Sequence, residues 1–445
     1  MPVSADTEKG NSEKMLFHDI SIVDEDFAVQ EHCYVGVKGD TIAYIGKQKP
    51  VEDYGEVYNG QGKLLLPAFY NLHSHLPMVL MRGYAEGLPL MQWLQGKIFP
   101  FEAELNDEDM YWACLLGIAE QLRFGIGSSS EMYLSHRPLC QAFADSGFKG
   151  NVSRCVIWFG NESYFDLPFY RETQDAIAEF DGIDNGRVRA EYSLHAEYTS
   201  HEPLAREVAE AAKKSGSSMH VHVSETQGEV EQCRARHEGR SPVQYLADCG
   251  IFDVPTVAAH CVHVGAEDIA ILKEKKVTVA ANPKSNLKLA SGISPVRALL
   301  NAGVNVGIGT DSVASNNNLN MIEEMRFFNL LQKGVSLDPT AISPRETLYA
   351  ATRAGALAQR RENCGFIREG FKADLTVLDI DKVYMKPAHN LLNNLIYSAQ
   401  GTDVVMTMVD GRVLYRDGIY PTLDMEKILC MCEKSRNRIL DRVGR

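Results

Sequence analysis

Residues 106–130, NDEDMYWACLLGIAEQLRFGIGSSS, decide how the rest of the chain is read. Asn106 is a helix cap, acids crowd the first turn where the helix dipole favours negative charge, and Gly125 is the stop. A strand begins at once near Ile126. This helix-to-strand step recurs along the chain. Short apolar strands begin near Leu64, Ile126, Gly150, Val188, Ser218, Thr256, Val277 and Val304, with helical stretches between most of them. Another helix is expected from Pro344 to Arg360, opened by the capping box Ser343-Pro344-Arg345-Glu346 with proline at its first helical position. Eight strand-then-helix units predict an α/β fold, a (β/α)₈ TIM barrel. The rival is a doubly wound open sheet, but no G-x-G-x-x-G follows any strand, so a dinucleotide fold has no fingerprint here.

Outside this rhythm both ends of the chain read as β structure. Leu16 to Val23 alternates, and Tyr34 to Gly46 reads as two strands turned at Lys38-Gly39-Asp40. Val404 to Val409, then Asp410-Gly411, then Arg412 to Tyr415 is a hairpin signal. The expected layout is a flexible segment over 1–14, a catalytic barrel over 66–375, and a small β-sandwich domain built from both termini. Residues 15–65 form one part of that domain, and residues 376–445 form the other together with a C-terminal helix.

Composition narrows the function. The 445 residues carry 45 basic and 59 acidic side chains, so the net charge is 45 − 59 = −14. Such a surface repels nucleic-acid phosphates and anionic lipid, which argues against nucleic acid as a partner. No window approaches the roughly 18 apolar residues of a membrane span. The opening MPVSADTEKGNSEK is polar and acidic and lacks the apolar core of a signal peptide, so a cytoplasmic protein is expected. The 10 cysteines include no C-x-x-C, and their one close pair is Cys430-Met431-Cys432. They read as reduced, mostly buried thiols. Any metal must then come from histidine and carboxylate.

Those residues stand where a barrel does its chemistry, at the C-terminal ends of the strands. Strand 1 ends Asn71-Leu72-His73-Ser74-His75, and residues two apart on a strand face the same way. Strand 5 ends His220-Val221-His222-Val223-Ser224-Glu225, strand 6 ends Ala259-His260-Cys261-Val262-His263, and strand 8 ends Gly309-Thr310-Asp311. A lone H-x-H is more often filler than ligand. Four strand ends each offering a ligand type predict a catalytic divalent-metal site of three imidazoles and one carboxylate. His220 lies a layer deeper than His222 and reads as a packed barrel histidine, and His263 likewise as structural.

Together these motifs resemble the amidohydrolase superfamily and, within it, the 5′-methylthioadenosine/S-adenosylhomocysteine deaminases. The resemblance runs from about Leu16 to Tyr420. It is carried by Pro67 to His75, Leu88 to Leu94, His222 to Thr226, Ala259 to His263, Asn286 to Gly292, Gly309 to Asp311 with Ala314 to Asn317, and Gly365 to Gly370 followed by Ala373 to Leu375. It implies one divalent metal, zinc by default although iron or manganese also suits the set, held by His73, His75, His222 and Asp311. Strand 4, Val188 to His195, has no lysine to bridge a second metal. Lowering the pKa of water at the metal makes hydroxide available near neutrality. Glu225 would protonate the substrate ring nitrogen, Asp311 would take the proton of the water, and His260 would hold the attacking oxygen in line.

The reaction implied is hydrolytic deamination of a small-molecule nucleoside such as 5′-methylthioadenosine, S-adenosylhomocysteine or adenosine. The long segment Leu76 to Glu104, rich in Met, Leu and Gly, would form a lid. By resemblance Trp93 lines the nucleoside pocket, Glu102 accepts from the ribose hydroxyls, and Arg154 and His195 contact the ribose or the 5′ side. Three stretches depart from the usual pattern: Leu72 and Ser74 where threonines are common, Ser312-Val313 after the strand-8 aspartate, and Ser128 to Met132 in place of a threonine-rich run. They bear on the substrate rather than the reaction. The alternatives are an aminohydrolase acting on guanine, a pterin or a triazine, and an inactive scaffold. The inactive scaffold would bury unpaired imidazoles and a carboxylate at a cost. A homo-oligomer is compatible with the sequence.

Overall fold

The computed structural model of the chain describes residues 14–444. Eight parallel strands pair in chain order: Phe69–Ser74, Ile126–Tyr133, Lys149–Val156, Val188–Leu194, Met219–Val223, Thr256–His260, Thr278–Ala281 and Asn305–Ile308. They are numbered here as barrel strands 1 to 8. The ring closes just beyond strand 8, where the Asp311 N–H donates to the His73 carbonyl at 2.8 Å. Asn71 reinforces the seam by accepting from the Thr310 N–H at 2.9 Å and donating to its hydroxyl at 2.8 Å. The barrel expected from the strand rhythm is therefore the fold.

The opening helix runs Asp107–Arg123, with Asn106 and Asp109 exchanging the two bonds of a capping box. The helix expected over Pro344 to Arg360 is instead two, Pro344–Ala351 and Arg353–Ala358. Thr352 leaves helical geometry while its hydroxyl donates to the Leu348 carbonyl at 2.7 Å. The second piece then lies flat on barrel strand 1, where a Cβ on Gly355 would sit 2.4 Å from that of Tyr70.

The strand expected to open the barrel at Leu64 is also split. Lys63–Pro67 pairs antiparallel with Leu375–Asp379 in a second, mixed sheet, and barrel strand 1 begins only at Phe69. Partners change across the break: the Ala68 N–H donates to Asp374, whereas that of Phe69 donates to Gly125 in the barrel. Pro67 has no N–H to continue the first ladder. From one edge the mixed sheet runs Arg412–Arg416, Val404–Val409, Leu375–Asp379, Lys63–Pro67, Lys14–Val23, Val29–Lys38 and Thr41–Gly46, with Glu56–Asn59 added on Lys14–Val23. Both termini thus share one core, which includes Phe17, Val35, Leu65, Val377 and Met406. The flexible segment expected over 1–14 lies outside the described residues as far as 13, and Lys14 already opens a strand. The C-terminal helix Met425–Val443 leans on the barrel, pairing Arg438 with Asp109.

Sheet and barrel are joined by a buried ionic cluster. Lys149, at the start of barrel strand 3, lies 2.6 Å from both Asp374 and Asp410 of the sheet side. Arg187 reaches Asp410 at 3.1 Å, and the Tyr70 hydroxyl donates to Asp374 at 2.7 Å. Removing one partner of a buried pair leaves the other unpaired, which costs about 3–5 kcal/mol. Lys149→Met is therefore expected to lower unfolding stability by that order. A urea midpoint equal to that of the unaltered protein would contradict the coupling.

Candidate active site

The strand ends converge. His73 and His75 come from barrel strand 1 and the residue after it, His222 from strand 5, His260 from strand 6, and Asp311 from the turn after strand 8. Gly309 makes the approach possible, because a Cβ there would meet Asn282 at 2.3 Å and the His73 Cβ at 2.8 Å. Ser224, His260, Cys261 and Asp311 all carry positive φ, a conformation costing non-glycine residues about 1–3 kcal/mol each. Such strain persists where the surroundings hold it, and here it falls at the ends of barrel strands 5, 6 and 8, beside the converging groups.

Backbone contacts fix the imidazole tautomers. His75 Nδ1 donates to the Met132 carbonyl at 2.5 Å and His222 Nδ1 to the His195 carbonyl at 2.7 Å. Both Nε2 atoms are thereby left as acceptors, yet they face each other at 3.3 Å. The buried His73 Nε2 has no hydrogen-bond partner. Asp311 Oδ1 lies 3.4 Å from His75 Nε2 and 3.6 Å from His73 Nε2. Opposed lone pairs and an orphaned buried nitrogen around a carboxylate are what a cation would satisfy, so these residues fit a metal.

The charge states agree. Burial holds His73 and His222 well below the ordinary histidine range and lowers His75, with the neighbouring imidazoles pushing His73 and His222 further down. Asp311 is held low despite burial, by His260, His75 and the donors Ser285 Oγ (2.5 Å) and Ser312 N–H (2.7 Å). Neutral imidazoles and an ionised carboxylate are the ligand forms.

Glu225 follows the strained Ser224 and is nearly enclosed, with Ser291 Oγ donating to it at 3.1 Å. Burial raises its carboxyl, which favours a group able to carry a proton. Its Oε2 lies 3.9 Å from His260 Nε2. Burial lowers His260, but Glu225 and Asp311 outweigh it and hold the ring above its ordinary value. Asn286 anchors the far nitrogen of His260, Nδ1 to Oδ1, at 2.8 Å. His220 meets His73 Nδ1 at 3.0 Å, so the packed barrel histidine expected there orients another ring.

Above these groups opens a pocket walled by Trp93, Glu102, Tyr133, His195 and Tyr198 over His222, Glu225 and Asp311. Trp93 ends a short helical turn that runs into a π turn, Leu94–Ile98, closed by the Phe99 N–H on Leu94. Its buried indole N–H has no partner. Glu102 is pushed up to about 7 by burial, partly offset by the Tyr133 hydroxyl. His195, anchored at Nδ1 by Thr199 (3.0 Å), is lowered by burial to about 3 and is neutral.

Arg154 is the exception. It does not line the pocket. Its neighbour Cys155 does, and on a strand adjacent residues face opposite ways. Arg154 lies between the barrel and the helix Pro168–Phe180, 3.0 Å from Glu172 and stacked 4.0 Å from the centre of the Phe169 ring. Sequence reading passed over Tyr133, Tyr198, Ser285 and Ser291. Tyr133 ends barrel strand 2 and obeys the strand-end rule, while Ser291 and Asn286 lie in a motif quoted above without a role.

Residues 64–414 match the amidohydrolase family. The 5-methylthioadenosine/S-adenosylhomocysteine deaminase of Dictyoglomus thermophilum is 40% identical over 421 residues, covering 95% of this chain and 98% of that protein. The 5'-deoxyadenosine deaminase of Methanocaldococcus jannaschii is 39% identical over 400 residues, covering 88% and 93%. A crystal structure of an adenosine deaminase from Xanthomonas campestris with bound zinc superposes with a TM-score of 0.89 at 29% identity, covering 96% and 98%.

Proposed function

The chain belongs to the amidohydrolase family, and we propose that it is a metal-dependent deaminase converting adenosine-type nucleosides to inosine derivatives and ammonia. One observation carries the reading. The imidazoles of His73, His75 and His222 and the Asp311 carboxylate converge at the floor of a pocket, with Glu225 beside them. His73, His75, His222 and Asp311 would hold a single divalent metal, zinc by default, which would supply Lewis acidity and activate a water near neutral pH.

The remaining chemistry belongs to the protein. Glu225 gives its proton to the ring nitrogen beside C6, which makes C6 electrophilic; of the two protons of the attacking water, one of them by way of Asp311, one then goes to the departing amine and the other restores Glu225. Asp311 takes a proton from the attacking water. His260, anchored by Asn286, donates from Nε2 to the oxygen that develops charge at C6. Trp93 and His195 flank the nucleoside, and the Glu102 carboxylate receives the ribose hydroxyls. Loss of adenine absorbance on conversion to hypoxanthine tests the reading, with guanine and pterins as controls. Turnover of those controls alone would leave an aminohydrolase but remove the nucleoside.

Glu102 gives the reading a pH signature. Ribose hydroxyls donate to the ionised carboxylate, so binding favours loss of its proton. With Glu102 near 7 before binding, KM is expected to be lowest above pH 7 and to rise as pH falls through 7. Glu102→Ala should remove this dependence and cut kcat/KM, since each charged hydrogen bond contributes roughly 1.5–3 kcal/mol. Adenosine kinetics across that range check both. A KM independent of pH in the unaltered enzyme would refute the ribose contact.

A further inference from the structure

Glu131 is an acid that the chemistry above leaves unused. It stands near the end of barrel strand 2, is fully buried and does not line the pocket. Among the described residues no basic side chain pairs with it, and burial pushes its carboxyl well above the ordinary range. A group so costly to bury needs partners that offset the cost. Ser74 Oγ donates to its Oε2 at 2.6 Å, and the Leu76 N–H donates to its Oε1 at 2.8 Å. These two residues flank His75. The next residue of strand 2, Met132, takes the His75 Nδ1–H on its carbonyl. Two consecutive residues of strand 2 thus hold three consecutive residues at the end of strand 1. The hold falls where the ladder is irregular: from Asn71 to Ser74 strand 1 advances three residues, while strand 2 advances two, from Ser129 to Glu131. An extra residue of this kind bends a strand and re-aims its side chains. Ser129 Oγ, 2.8 Å from Ser74 Oγ, accepts from Gln121 Nε2 at 3.3 Å and ties the cluster to the helix Asp107–Arg123.

We propose that Glu131 is a positioning residue for the metal: its carboxyl, bonded to Ser74 and Leu76, fixes the direction in which His75 presents Nε2. The inference rests on the metal reading above and concerns what holds one of the ligands. The Met132 carbonyl sets the rotation of the His75 ring, and Glu131 sets the backbone that carries it. Leu76 is buried, so without Glu131 its N–H would lose its acceptor and the turn after His75 would shift to find another. A displaced imidazole meets the metal off the axis of its lone pair. Groups that orient a metal ligand in this way commonly carry about 10–100-fold in metal affinity.

The test compares Glu131→Met, which keeps the volume and removes both bonds, with Glu131→Gln, whose carbonyl still accepts from Leu76 and whose amide still reaches Ser74. Zn²⁺ affinity is measured against a competing chelator, the Co²⁺-loaded protein reports its ligand field as a visible spectrum, and adenosine kinetics separate kcat from KM. Glu131→Met should bind Zn²⁺ roughly 10- to 100-fold more weakly and shift the Co²⁺ spectrum. Its kcat should fall with KM little changed, since Glu131 stands outside the pocket. Glu131→Gln should recover most of the affinity and the original spectrum, a difference that packing volume alone would not produce. Should Glu131→Met fail to fold, Ser74→Ala removes one of the two bonds and should give the same shifts to a smaller degree. Unchanged Zn²⁺ affinity and Co²⁺ spectrum in Glu131→Met, or in Ser74→Ala standing in for it, would overturn the inference and leave the metal reading intact. Glu131→Gln behaving as Glu131→Met would overturn it too. An unaltered protein that binds neither metal ion would remove the metal reading and the inference together.

Discussion

Glu225→Gln is expected to retain the metal and to bind nucleoside while losing turnover by roughly 10²- to 10⁴-fold, the usual worth of a positioned acid–base group. The amide has nearly the shape of the carboxyl and still accepts from Ser291 Oγ, so the pocket should not collapse. What it lacks is a proton that can leave and return near neutral pH. Burial already raises the Glu225 carboxyl, which suits it to give a proton to a weakly basic ring nitrogen. Single-turnover rates and inhibitor binding, measured together with metal content, separate this role from a structural one. A variant with nearly full kcat would show that another group carries the proton, and His260, 3.9 Å away, would be the next to examine.

Chelation is expected to abolish activity and zinc to restore it. Asp311→Ala should lower the bound metal itself, measured by elemental analysis. His222→Ala should act the same way, because it removes one of the two acceptors that face each other at 3.3 Å. Mutating the partners behind metal ligands commonly costs about 10–100-fold, and loss of a ligand should cost more. Full turnover by metal-free protein would end the metal reading. Stoichiometric metal without turnover on any nucleobase or nucleoside would favour the inactive scaffold instead.

Much of this site was legible in the sequence because its logic is local. His73 and His75 are two apart on a strand, so they share a face whatever the rest of the chain does. Glu225 is three residues past His222, and Asp311 is two residues past the glycine that follows strand 8. The barrel was legible for a similar reason, since caps, stops and short apolar runs are properties of neighbouring residues. The hairpin at Asp410-Gly411 is another case, both residues carrying the positive φ that such a turn needs.

Other features depend on groups far apart in the chain. The sequence alone does not say that residues 63–67 belong to the terminal sheet rather than the barrel. That follows from Leu375–Asp379 arriving to pair with them from more than 300 residues away. Nor does it give the raised Glu102, whose carboxyl is desolvated by the pocket it shares with Tyr133 of barrel strand 2.

Arg154 marks the boundary between the two kinds of knowledge. Its position at the end of a barrel strand was readable. The side of the strand it takes depended on the register of barrel strand 3 within the ring and on Phe169 and Glu172 waiting on the outer layer. By itself, then, the sequence determined which chemical groups stand at the barrel mouth, because strand period and helix caps act over a few residues. Only the tertiary structure decided which way each group points and how much charge it bears, because burial and ion pairing are set by partners brought together from across the chain.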